Sequence, residues 1–281
     1  MITRALLILL FGVMAHALGA EEMTGIDVVE EVIVNQRDFP DSINGCGPAS
    51  ILNMLTFGKP ELQAAGGKVM GQNDATRMRF IVDRYFQNRK SVVYPGRQRW
   101  GVHGVPSADL AVGVNELLEE SGVAALKASY LNRKTGEENS KFQQRVYGWM
   151  ERSIQNGVPP ILSLRSYVVR QRENSDQPGW ETPGQHFITL TGISKDAGDR
   201  TEGFSAMVID SAGGKQTRIH LFVEPNGQPF RAMMGVIEEN HWLDGQPFLL
   251  VIAPDIRGMK PADLKWSERF LIVADFLIGD F

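Results

Sequence analysis

The stretch Asn156-Gly157-Val158-Pro159-Pro160-Ile161-Leu162-Ser163-Leu164, residues 156–164, divides the chain into two halves of different character. Upstream of it, apolar residues recur at helical spacing. Lys141 to Gln155 reads as a helix stopped by Gly157 and Pro159. Ser107 to Ser121 reads as another, with Leu110, Val114, Leu117 and Leu118 on its buried face and Ser107 as N-cap. Asp74 to Asn88 repeats Met78, Ile81, Val82 and Tyr85 at three- and four-residue steps. Ala49 to Phe57 forms the first helix, with Pro48 in its opening turn and Gly58 and Pro60 ending it. Downstream the runs are short, β-branched or aromatic and bounded by turn residues: Ile161 to Leu164, Phe187 to Ile193, Ala206 to Ile209, Arg218 to Val223 and Phe248 to Ile252. Phe270 to Ile278 is apolar but for Asp275 and fits strand or helix. Val28 to Val34 reads as a short strand, and Gln171 to Gly184 as a surface loop. The expectation is an α+β fold: a helical first half packed on a mainly antiparallel sheet, with a cleft between the layers.

The chain of 281 residues is 43% hydrophobic and 22% charged, with a net charge of −4. Such a balance describes a globular chain and argues against general nucleic-acid binding, which calls for a basic surface. Residues 1–20 carry one arginine, an uncharged apolar centre and small residues before Glu21, the order of a secretory signal peptide. Residues 21–281 are then expected to form a single exported domain, periplasmic or extracellular, with no stable membrane insertion after leader removal. No repeat, low-complexity tract or linker divides it. No metal-ligand spacing and no phosphate-binding glycine pattern is present, so no cofactor or metal is expected. The oligomeric state is open.

The chain has one cysteine. An unpaired thiol in an oxidising compartment invites a chemical explanation, against the plainer one of a small buried hydrophobe. In Asn44-Gly45-Cys46-Gly47-Pro48-Ala49-Ser50 the glycines admit close approach to the sulfur, and the helix start directs N–H groups and a positive dipole end at it. Both favour the thiolate. His186 opens one expected strand and Asp210 ends the next. If these pair as an antiparallel hairpin through the loop 194–205, His186 and Asp210 become neighbours, as an imidazole and its orienting carboxylate must be. The plainer readings are a satisfied strand histidine and a turn-capping aspartate before Gly213-Gly214. His103 sits in a glycine-flanked loop, His220 and His241 have no neighbouring ligand pattern, and Trp100, Trp180 and Trp242 suit core packing better than a cleft.

Cys46-Gly47-Pro48-Ala49-Ser50, His186-Phe187-Ile188-Thr189-Leu190-Thr191-Gly192 and Val208-Ile209-Asp210 together resemble the bacteriocin-processing, double-glycine-leader branch of the papain superfamily of cysteine peptidases. The strand 160–164 also resembles the segment preceding the catalytic histidine in that branch. The resemblance implies a papain-like fold and a Cys46–His186–Asp210 triad that cleaves peptide or amide bonds of a peptide or protein substrate. Where that branch carries a glutamine about six residues before the cysteine, this chain has Pro40, so Gln36 and Asn44 are the candidates for the second oxyanion donor. The alternatives are an acyl transferase of transglutaminase type using the same triad, and an inactive module that binds a peptide without cutting it.

Overall fold

The computed structural model describes residues 22–40, 44–170, 179–195, 202–223, 233–234, 241–242, 249–257, 259–260 and 269–281. The expected leader, residues 1–20, lies outside them. The helical half holds α1 (Cys46–Phe57), α2 (Pro60–Gly67), α3 (Asp74–Ile81), α4 (Ser107–Glu120) and α5 (Asn139–Gln155). The strands are β1 (Met23–Gly25), β2 (Lys127–Tyr130), β3 (Ile161–Arg170), β4 (Gly179–Ser194), β5 (Phe204–Asp210), β6 (Lys215–Val223), β7 (Met233–Met234), β8 (His241–Trp242), β9 (Leu249–Ile252) and β10 (Arg269–Gly279).

The strands correct the expected architecture. In order β4-β3-β10-β9-β6-β5, each is antiparallel to the next, and β5 pairs again with β4. The result is a closed six-stranded antiparallel barrel, with β1 added to β4 and β2 to β10. A closed barrel is not a papain-like fold, so the resemblance is one of local motifs and not of architecture. Closure leaves no edge among those six strands, because the hydrogen-bonding groups of the first and last satisfy each other.

Alternation of side chains along each strand separates two cores. Leu162, Leu164, Ile188, Leu190, Val208, Ile219 and Leu221 share one core with Phe142, Val146, Met150 and Ile154 of α5. The intervening residues Ile161, Phe187, Phe276 and Ile278 join the core of α1 to α4. β6 shows the rule most clearly: Thr217, Ile219, Leu221 and Val223 are buried while their neighbours are not. β10 is apolar on both faces between Phe270 and Ile278 except at Asp275, because the faces serve different cores, which resolves that segment as strand.

Local expectations fail where long-range pairing decides. Residues 28–34 hold a short 3-10 turn, Glu30–Val32, and the strand lies earlier, at β1. α3 passes into a π-helical turn, Val82–Gln87, where one continuous helix was expected. Residues 179–184, read as loop, belong to β4; residues 171–178 lie outside the described set. Pro106, not Ser107, is the N-cap of α4, and the Ser107 hydroxyl instead accepts from Gln185 Nε2 at 2.6 Å.

The arm that precedes α1 is part of the fold. Asn53 of α1, fully buried, accepts from Val34 N at 2.8 Å and donates to Val34 O at 3.1 Å. Two residues on, Gln36 N donates to Ser211 O at 2.8 Å, tying the arm to the end of β5.

Candidate active site

Gly45 is the N-cap of α1 and Cys46 its first residue. Pro48 has no N–H to offer and Ala49 N donates to Gly45 O at 3.0 Å, so the helix start presents the N–H groups of Cys46 and Gly47. Gly47 faces the wall made by Val105, Leu110 and Phe187; a Cβ there would stand 2.9 Å from Val105 Cγ1, so a side chain at this position pushes the helix off its seat. The Thr189 hydroxyl donates to Ser50 O at 3.2 Å and fixes α1 across β4.

Register explains how the next two residues meet. Ile188 of β4 is paired with Asp210 of β5, and His186 lies two residues along on the same face. His186 Nε2 is 2.8 Å from Asp210 Oδ1. That nitrogen is committed to the carboxylate, so Nδ1 is the one left to face the sulfur, and the ring is close enough to Cys46 to favour its thiolate. The three residues are thus brought into one chain of contacts, sulfur to imidazole to carboxylate. Asp210 accepts two further bonds, from Ala212 N at 3.0 Å and Arg257 N at 3.1 Å.

The electrostatics follow from these partners. Burial pushes the Cys46 thiol up, but the hydrogen bond and charge of His186 and the N–H groups of Phe187 and Gly47 outweigh it, holding the thiol below its usual range. Burial pushes His186 down, and its bonds to Asp210 and Cys46 overcome this and lift it to about 9. Burial raises Asp210 as well, yet the imidazole and the two backbone N–H groups keep it below the ordinary aspartate value. A thiolate–imidazolium pair supported by an ionised carboxylate is the arrangement an acyl-transferring thiol requires.

Access is narrow. Cys46 retains 9% of its surface, His186 6% and Asp210 none. A substrate must therefore reach the sulfur through a narrow opening.

Of the two oxyanion candidates, the surroundings favour Gln36. A Cβ on Gly45 would meet Gln36 O at 3.0 Å and Gln36 Cβ at 3.1 Å, so Gln36 lies directly against the residue before the nucleophile. Ser211 Oγ, which donates to Phe187 O at 2.9 Å, lies 3.4 Å from Gln36 Oε1, so the end of β5 flanks the Gln36 amide. Asn44 Nδ2 instead donates to Val102 O at 3.3 Å, in the loop that carries His103.

The other residues weighed from the sequence lie elsewhere. His103 is exposed, and the His220 ring bonds Glu202 O through Nε2 at 2.8 Å. Trp100 packs edge-on against Phe39 at 6.0 Å between ring centroids, beside the helical core. The side chains of Trp180, His241 and Trp242 lie outside the described set. Sequence reasoning missed the N–H groups of Arg257 and Ala212, the Ser211 hydroxyl and the Asn53 clamp. Asn53, two helical turns from Cys46 and polar in an apolar helix, was the one with a readable signal.

Among the described residues, no group of three or more His, Cys, Asp or Glu side chains is placed to hold a metal ion, and no helix is long and apolar enough to cross a membrane. The chain matches no protein-family model, no curated protein and no solved structure.

Proposed function

We propose that the protein is an exported thiol hydrolase that cleaves a peptide or amide bond through Cys46, His186 and Asp210. The observation that carries this reading is that His186 Nε2 meets Asp210 while the same ring acts on the Cys46 thiol and lowers its pKa. The Cys46 thiolate attacks the carbonyl carbon, forming a C–S bond and an oxyanion. The Cys46 N–H and the Gln36 amide stabilise that oxyanion, a contribution worth roughly 10²–10³ in rate per donor. The His186 imidazolium gives its proton to the departing amine, and the C–N bond breaks to leave a thioester. Neutral His186 then takes a proton from water as the hydroxyl attacks the thioester, and the acid is released with the thiolate restored. Asp210 holds the ring with Nδ1 toward the sulfur throughout.

Gln36, beside Gly45, supports catalysis over an inactive binding module, because it occupies the neighbourhood that Pro40 left vacant in the sequence pattern. An amine acceptor in place of water turns the same thioester chemistry into acyl transfer. Incubation of the chain with a diverse peptide library, with and without excess glycinamide, followed by mass spectrometry tests the proposal. Hydrolysis gives free carboxyl termini that Cys46→Ala no longer produces, and transfer gives amide adducts. Products that persist in Cys46→Ala refute the mechanism.

A further inference from the structure

We propose that Arg37, Lys215 and Arg257 form a cationic rim that receives carboxylate groups of the substrate on the leaving-group side of the Cys46 site; this rests on the hydrolase reading above. The three residues come from remote parts of the chain, and each is tied to the turn that follows β5. Arg257 is held there by its own N–H on Asp210 Oδ2 at 3.1 Å. Lys215 is the β6 partner of Asp210, and its Cγ lies 3.5 Å from the point where a Gly213 Cβ would sit, a point 2.5 Å from Asp210 Oδ2. Arg37 N donates to Asn35 Oδ1 at 3.0 Å, Asn35 abuts Gly214, and Gln36 N donates to Ser211 O at 2.8 Å.

All three side chains are exposed, and among the described residues none forms an ion pair. The exposed acids of the same segments are Asp38 and Asp255, of which Asp255 accepts from Thr217 Oγ1 at 3.5 Å. Some cations elsewhere are paired, as in Arg84 with Glu120, Arg99 with Glu116 and Arg145 with Glu137, whereas exposed Lys68, Lys90 and Lys141, like the rim residues, form no ion pair among the described residues. What sets these three apart is their place: their segments meet at the turn that follows β5, at the Asp210 end of the site, on a chain of net charge −4.

The chemistry assigns the rim a side. The imidazole that protonates the departing nitrogen must stand next to it, so the portion of substrate carrying that nitrogen lies on the His186 and Asp210 side of the sulfur. The rim segments meet at the end of β5 that carries Asp210. A carboxylate within the departing portion, one to three residues beyond the broken bond at about 3.3 Å per extended residue, comes within reach of these cations. Either an Asp or Glu side chain or a free C-terminal carboxylate supplies it.

The test separates docking from cleavage. Fluorescent peptides with Glu or Gln at the positions after a scissile bond, each as free acid and as C-terminal amide, are bound to intact Cys46→Ala protein and followed by anisotropy. The Glu forms are expected to bind roughly tenfold more tightly than the Gln forms at low salt, with the gap closing at high salt, as screened surface charges require. Arg37→Glu/Lys215→Glu/Arg257→Glu, checked for its fold by circular dichroism, is expected to reverse the preference, and Arg37→Lys/Arg257→Lys to retain it. A preference confined to free acids assigns the C-terminal carboxylate as the anchor, and one shared by the amides assigns the side chains. Equal binding of Glu and Gln peptides, an unchanged preference in the triple variant, or no binding of either overturns the rim. Loss of cleavage with an intact Glu preference counts against the hydrolase reading alone.

Discussion

Removing the Asn53 carboxamide is expected to damage both stability and the active site, because one side chain holds the arm that carries Gln36. In Asn53→Ala, Val34 N and Val34 O lose partners at 2.8 and 3.1 Å in a position with no solvent exposure. Each unsatisfied buried group costs ~1–3 kcal/mol, so the pair costs about 2–6 kcal/mol. For a domain of this size that is a fall in melting temperature on the order of 10 °C. Loosening the arm also frees Gln36 from its place against Gly45, and turnover should fall at least ~10-fold if the lost oxyanion donor is worth its usual 10²–10³. Asn53→Asp keeps the acceptor for Val34 N but not the donor for Val34 O, and introduces a buried charge, so it does not rescue. Calorimetry with single-turnover kinetics reads both effects. A variant that melts with the wild type and retains its turnover refutes the role assigned to the arm.

Gln36→Ala should lower kcat by ~10²–10³ with little change in melting, since the residue is only partly buried and its backbone tie to Ser211 survives. Asp210→Asn keeps the shape of the contact but removes the charge that raises His186; the imidazolium is then lost at lower pH, and the alkaline limb of the kcat/KM profile should move acidward from about 9. The same linkage has a sign for stability. His186 titrates higher when folded, so its contribution is complete below its unfolded pKa of about 6.5 and fades as pH rises through about 9, which urea melts across that window will show. Arg165→Met strips the partner from fully buried Asp275, whose Oδ2 accepts from Arg165 Nε at 2.8 Å, and should cost about 3–5 kcal/mol by denaturant unfolding.

Much of the site was legible because its determinants are local. Glycine on each side of Cys46, proline two residues on, and apolar alternation up to His186 and Asp210 each have a short-range meaning, and antiparallel pairing of consecutive strands then brings the histidine and aspartate together. The barrel was not legible for the opposite reason. Closure depends on β10 lying between β3 and β9, contacts far apart in sequence that leave no trace in local periodicity. The same holds for the Arg257 N–H on Asp210, which comes from the segment after β9, two strands along the barrel from β5. Gln36 was weighed only as an option because its distance to Gly45 is set by the 3-10 turn Gln36–Asp38 and by the Asn53 clamp, neither of which the sequence pattern around Cys46 specifies.

The most direct measurement is the rate at which iodoacetamide alkylates the single thiol as a function of pH, in wild type and in His186→Ala. With an imidazolium stabilising the sulfur, wild-type alkylation should titrate well below the ordinary thiol value of about 8.5, and the variant should lose that acidic reactivity and titrate at or above 8.5. A thiol that ionises near 8.5 in both proteins, or one that iodoacetamide never reaches, contradicts a reactive Cys46–His186 pair.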